Sequence, residues 1–157
     1  MTVKVEDNRK NLDDLFKELD YLDSHVIVVG VLGDKEVDEV SVQEYAIYVE
    51  FGTENKEGEE HIPARPFFRE ATQTTEARKK ISKYMKNEME KVIESKKTGK
   101  QACDAVGEYV RGLIVKSIKN GDWVPNAPST VKQKGKNNPL IETSTLIKSI
   151  DYEIRRK

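Results

Sequence analysis

Cys103 is the only cysteine in 157 residues, so no disulfide can close within the chain and no tetrathiolate metal site can be built. A lone thiol suits a reducing compartment. No stretch offers the ~20 consecutive apolar residues that span a bilayer, and the opening MTVKVEDNRK lacks the apolar segment of a secretion signal. The chain is therefore expected to be made and kept in cytosol, whatever it later joins. Charge of one sign is missing too. The 27 Lys and Arg residues against 28 Asp and Glu remove the electrostatic drive that general nucleic-acid or membrane-surface binding requires.

Chemistry-bearing constellations are equally scarce. The two histidines stand apart: His25 opens an apolar run, and His61 sits beside Glu59 and Glu60, where adjacent side chains do not converge on one ion without a third ligand from elsewhere. Cys103 falls in the first turn of an expected helix with no base assigned to it. GVLGDK follows a strand-like run but has neither the dinucleotide fingerprint nor the P-loop spacing. The basic clusters SKKTGK (Ser95–Lys100), KQKGK (Lys132–Lys136) and RRK (Arg155–Lys157) read as loop and tail solubilisation. No enzyme and no cofactor is expected.

What is present is strongly patterned. With 36% hydrophobic and 35% charged residues, the apolar material must be gathered on defined faces. Leu12, Leu15, Phe16, Leu19 and Leu22 recur at spacings of three and four, predicting an amphipathic helix over Asn8–Leu22. HVIVVGVL, His25 to Leu32, is β-branched and bounded by turn residues, which predicts a buried strand. Ser41 with Glu44 forms a capping-box pattern ahead of Tyr45, Ala46, Tyr48 and Val49, and Gly52 releases the chain from that short helix in a left-handed conformation. The polar stretch Glu54–His61 is expected to be an exposed, mobile loop.

Pro63 and Pro66 then make IPARP a stiff extended segment, with Pro66 suited to a first helical turn. From Phe67 to about Ser95 there is no proline or glycine, predicting one long helix. KKTGK breaks it, and a second helix runs from about Gln101 to Ile118. So short a turn predicts an antiparallel hairpin, with Phe68, Ile81, Met85 and Val92 facing Val106, Val110, Leu113 and Ile114. Asn120–Thr130 reads as an ordered loop around Trp123, and Ser129 or its neighbour starts a short helical turn that KGKNNP interrupts. ETSTLIKSI passing into DYEIRR predicts a last helical turn and a strand with Tyr152 and Ile154 on one face.

Three segments, YAIYVEFGT (Tyr45–Thr53), IPARPFFR (Ile62–Arg69) and Trp123–Ile154, together resemble the small tail-completion or head–tail joining proteins of tailed bacteriophages and phage-derived particles. They occur in that family's order and cover roughly Tyr45 to Ile154. One departure is ETSTL at Glu142–Leu146, where the family often has a glycine after the threonine; a serine there caps a helix instead of making a flexible turn.

The resemblance implies a virion part at the capsid–tail junction, acting by assembly. Its implied partners are further copies in a ring, head-completion or connector proteins, and tail-terminator or tail-tube proteins, with no membrane and no specific nucleic acid, although genomic DNA passes close by. A tail terminator or another minor tail component is the nearest alternative, and a nucleic-acid-binding accessory protein is the alternative of another class.

The expected fold is α+β, one domain over residues 1–157. A small, mostly antiparallel sheet, built from His25–Leu32, the C-terminal strand and extended residues near Phe51 or Pro63, packs on the helical hairpin and leaves the polar loop exposed. The residues expected to shape the assembly interface are Phe51, Gly52, Thr53, Arg65, Pro66, Phe67, Arg69, Trp123 and Pro125, with Arg65 and Arg69 offered to a neighbour's carboxylates.

Overall fold

A computed structural model of the chain describes residues 9–32, 36–37, 40–54, 56–58, 60–125, 132 and 145–157. Helix α1 (Arg9–Ser24) leads into strand β1 (His25–Val31), which pairs antiparallel with the terminal strand β6 (Ile150–Arg156) from His25↔Arg156 to Val31↔Ile150. Side chains alternate across a strand, so Ile27, Val29 and Val31 share a face with Ile154, Tyr152 and Ile150. That face lies on α5 (Gly99–Asn120), the helix that also packs against α1, α3 (Phe67–Thr72) and α4 (Thr75–Ile93). Sheet and helix approach closely where α5 has Gly107: a Cβ there would come within 2.3 Å of the Tyr152 ring.

Around the far end of β1 lies the main core. Val42, Ala46 and Val49 of α2 (Val42–Phe51) meet Phe67 and Ala71 of α3, Ile114 and Ile118 of α5, Leu146 of α6 (Thr145–Ser149) and Ile150. The architecture is α+β as expected, with the sheet against the α4–α5 hairpin; the Tyr84 and Tyr109 rings stack 4.1 Å apart across it. Thr98 and Gln101 form a full capping box at the start of α5. Between the helices, buried Glu88 receives Lys91 and Lys97, each at 2.5 Å, and so ties the turn to α4.

Several expectations need correction. The single helix over Phe67–Ser95 is two helices, because Thr74 turns extended and its hydroxyl accepts the Ala77 amide at 3.2 Å as the N-cap of α4. Met85, expected inside the hairpin, is 43% exposed. Among the described residues, those near Phe51 and Pro63 do not join the main sheet: β4 (Thr53–Glu54) and β5 (Glu60–Ile62) pair with each other, and β2 (Glu36–Val37) with β3 (Val40–Ser41). The first helix keeps its expected stripe, yet Leu12 and Phe16 on it stay exposed. The helical turn expected near Ser129 and the KGKNNP stretch lie outside the described residues.

The core location sets a stability expectation. Ile114 is fully buried, so Ile114→Ala costs about 2–5 kcal/mol in denaturant unfolding, whereas Met89→Ala on the exposed side of α4 costs under about 1 kcal/mol.

A pH expectation follows from Glu88. Hydrogen bonds from Lys91 and then Lys97 hold its carboxyl below the ordinary value of 4.5. A depressed folded-state pKa gives stability that is present above the unfolded value and is lost as pH falls through the folded one. The stability difference between wild type and Glu88→Gln is therefore constant at neutral pH and shrinks progressively below about pH 4.5, as paired urea titrations at stepped pH will read.

Candidate assembly interface

The EFGT and IPARPFF segments meet at the C-terminus of α2. Ser41 caps that helix, its hydroxyl accepting the Glu44 amide at 3.2 Å, and the Glu44 carboxylate in turn receives the hydroxyl of Tyr48. At the other end Gly52 adopts φ +75° and donates its amide to the Tyr48 carbonyl at 2.8 Å. Only glycine fits there, since a side chain would meet the Ile62 carbonyl at 2.8 Å as well as an unfavourable φ.

The chain then leaves on β4, turns through exposed Lys56, Glu57 and Gly58, and returns on β5, making the expected loop a hairpin arm. Its return is fixed: the Arg65 amide donates to the Val49 carbonyl at 2.8 Å. The arm thus starts and finishes at one point of α2.

Glu50 locks that point. Helix α3 begins after Pro66 with no capping side chain of its own, and the missing acceptor comes from Glu50, whose carboxylate takes the amides of Phe68 at 2.9 Å and Arg69 at 3.0 Å. A carboxylate at a helix N-terminus is also favoured by the helix dipole. The Arg69 guanidinium completes the set, with Nε on the Glu50 carboxylate at 3.0 Å and Nη2 on the Glu50 carbonyl at 2.9 Å. Its charge lies over the Phe51 ring, 4.7 Å from the centroid.

The sequence-predicted residues therefore divide. Phe51 is 62% exposed, and Arg69 is partly exposed beside it. Phe67 is fully buried in the core. Arg65, expected to face a neighbour's carboxylates, is only 6% exposed and instead donates to the Val124 carbonyl at 2.9 Å and the Pro125 carbonyl at 3.3 Å of its own chain. It ties the segment after α5 to the arm's base, where exposed Pro125 sits and half-buried Trp123 donates its indole N–H to the Ser117 carbonyl at 3.2 Å. The Thr53 hydroxyl is buried with no hydrogen-bond partner among the described residues.

Exposed apolar side chains gather in two places. Ile47, Tyr48 and Phe51 form a ridge along one side of α2, with Phe51 four residues after Ile47 and three after Tyr48, the spacings that place side chains together. The second surface is concave. Between β1 and α4, with α5 as floor, lies a groove of about 620 Å³ lined by apolar residues that include Val26, Val29, Phe68, Met85, Met89 and Val106. Leu22 of α1 also lines it, and the α1 stripe continues from there at helical spacing through Leu19 and Phe16 to Leu12.

Glu50 and the groove were both missed by sequence reasoning. An acid inside the apolar run YAIYVEFG was the signal for Glu50, and Met85, Met89 and Ile93, four apart on a basic helix, were the signal for the groove. Among the described residues no cluster of three or more His, Cys, Asp or Glu is placed to hold a metal ion, and no helix is long and apolar enough to cross a membrane. Comparison of the chain with protein-family models, curated proteins and solved structures returns no match.

Removing the lock has a defined cost. Glu50→Ala strands two helix amides and the Arg69 guanidinium, and lowers unfolding free energy by about 2–3 kcal/mol; Phe51→Ala, on the exposed side, changes it by under about 1 kcal/mol. Equal losses in urea melts would show that Glu50 is not the lock.

Proposed function

We propose that this chain is an assembly component of a tailed phage or phage-derived particle, completing the tail and joining it to the head as part of an oligomeric ring at the capsid–tail junction. The family resemblance of the three ordered segments supports the class. The observation that carries the reading is that the chain bears two separate exposed apolar surfaces, the α2 ridge and the β1–α4 groove, one convex and one concave. A ring of identical subunits joins different surfaces of successive copies, and a pair of unlike apolar surfaces is what that symmetry asks of one chain.

On this reading the nine sequence-predicted residues act in two ways. Phe51 and Arg69, with Pro125, lie at the surface to touch a neighbour, while Gly52, Thr53, Arg65, Pro66, Phe67 and Trp123 hold the platform in shape. Head-completion or connector proteins lie on one side of such a ring, and tail-terminator or tail-tube proteins on the other.

Particles from a host expressing Ile47→Asp/Phe51→Asp in place of the wild-type gene are expected to accumulate filled heads and finished tails that do not join. Both positions are exposed, so the variant should melt close to wild type. Normal joining and infectivity after deletion of the gene would make the reading wrong.

A further inference from the structure

We propose that the β1–α4 groove is the receptor for the α2 ridge and hairpin arm of a second copy of this chain, which sets successive copies head to tail. The inference rests on the assembly reading above and names the two surfaces that meet.

Placement comes first. Helix α2 packs at the Val31 end of β1, whereas the groove reaches His25 and Lys157 at the opposite end, about 20 Å away for a strand of this length. The ridge and that end of the groove thus lie at opposite ends of β1, which leaves them free to meet on different copies.

Chemistry matches as well. The ridge offers Ile47 and Phe51, and the groove answers with Val26, Met85 and Met89; thioether side chains adapt to the shape of an inserted group. Laying an apolar helix face into an apolar groove is a recurring recognition mode.

Charge selects the partner. The arm segment ENKEGEE, residues 54–60, carries four Glu and one Lys, net −3. Helix α4, residues 75–93, carries six Lys and Arg against three Glu, net +3. Its three acids are taken by Lys80, Lys91 and Lys86, with Lys97 also on Glu88. Arg78, Lys79 and Lys83 are left exposed and enter no ion pair among the described residues; helical spacing puts Arg78 on the groove side with Met85 and Met89, while Lys79 and Lys83 lie on the outer side of α4 and add to the positive field of the helix as a whole. Ridge on ridge would set two acidic arms together, and groove on groove two basic helices; ridge in groove sets unlike charges together, and like-charge juxtaposition excludes the wrong pairings.

The test is self-association of the purified full-length chain, followed by sedimentation across a concentration series at low and high salt. Wild type is expected to associate, less so at high salt. Phe51→Asp on the ridge and Met89→Asp in the groove, both exposed and checked for unchanged melting, should each weaken association by about tenfold or more.

An arm-reversed variant (Glu54→Lys/Glu57→Lys/Glu60→Lys) and an α4-reversed variant (Arg78→Glu/Lys79→Glu/Lys83→Glu) should each associate poorly alone. Mixed with each other, or with both sets in one chain, they should associate as wild type does. A wild-type chain that stays monomeric throughout, a mixture that fails to recover, or loss with Met89→Asp but not Phe51→Asp, the mark of a groove-to-groove dimer, would each overturn the proposal. If the charge swap fails while deletion of the gene still abolishes head–tail joining, the assembly reading stands and this pairing falls; recovery by the swap together with normal infectivity on deletion gives the reverse.

Discussion

The Glu50 carboxylate is the interaction on which the candidate interface depends. A carboxylate only 6% exposed is tolerable when its oxygens are occupied by good donors, and Glu50 finds them in two amides at the start of α3 and the Arg69 guanidinium. Because all three donors belong to α3, satisfying one acid fixes the distance and angle between the end of α2 and the start of α3. The chain between them, Gly52 to Pro66, becomes a closed excursion, and the Arg65–Val49 backbone bond shuts its base. The buried faces of α2 and α3 then pack with Ile114 and Ile118 in the same core.

The groove has a different origin, the narrowness of the sheet. Strand β1 pairs with β6 on one edge and, among the described residues, with nothing on the other. A third strand on that edge would cover the side of α4 that carries Met85 and Met89. With two strands, Val26, Met85 and Met89 border an open trough above α5. The exposed methionines of α4 therefore follow from topology, and their sequence spacing fits a buried helix face equally well.

This explains what could be read from the sequence and what could not. Periodicity identified α1, β1, α4 and β6 because each has one face against α5, and α5 because it is packed against them, so burial follows the local repeat. It failed at Gln73–Thr74, where neither glycine nor proline marks the break and a threonine hydroxyl caps the new helix. It placed Met85 inside because the repeat says which residues share a face and not whether a neighbour arrives to cover it. EFGT and IPARPFF were recognisable as a unit, and the positive φ of Gly52 was legible from its position after the last helical residue, although its ψ of 170° is extended and not left-handed helical. The sorting of their members into buried and exposed was not. That sorting depends on Glu50 and on the carbonyls of Val124 and Pro125, far away in sequence.

The sorting also changes how the interface should be understood. Arginine, proline and phenylalanine in ARPF suggest contact residues, yet Arg65 and Phe67 are spent inside the chain, holding the segment after α5 and the core respectively. In the proposed assembly their effect on a partner is indirect: they keep Phe51, Arg69 and the base of the arm in one arrangement before any neighbour arrives. Docking a surface that is already ordered loses less conformational freedom than docking a loose one, so rigidity within the chain appears as affinity between chains. The arm itself is held at its two ends, by Gly52 and by Arg65, while Lys56 and Glu57 in its turn are exposed. In the proposed assembly, anchored base and charged tip divide the work: the base sets where a partner sits, and the charges decide which surface of that partner is accepted.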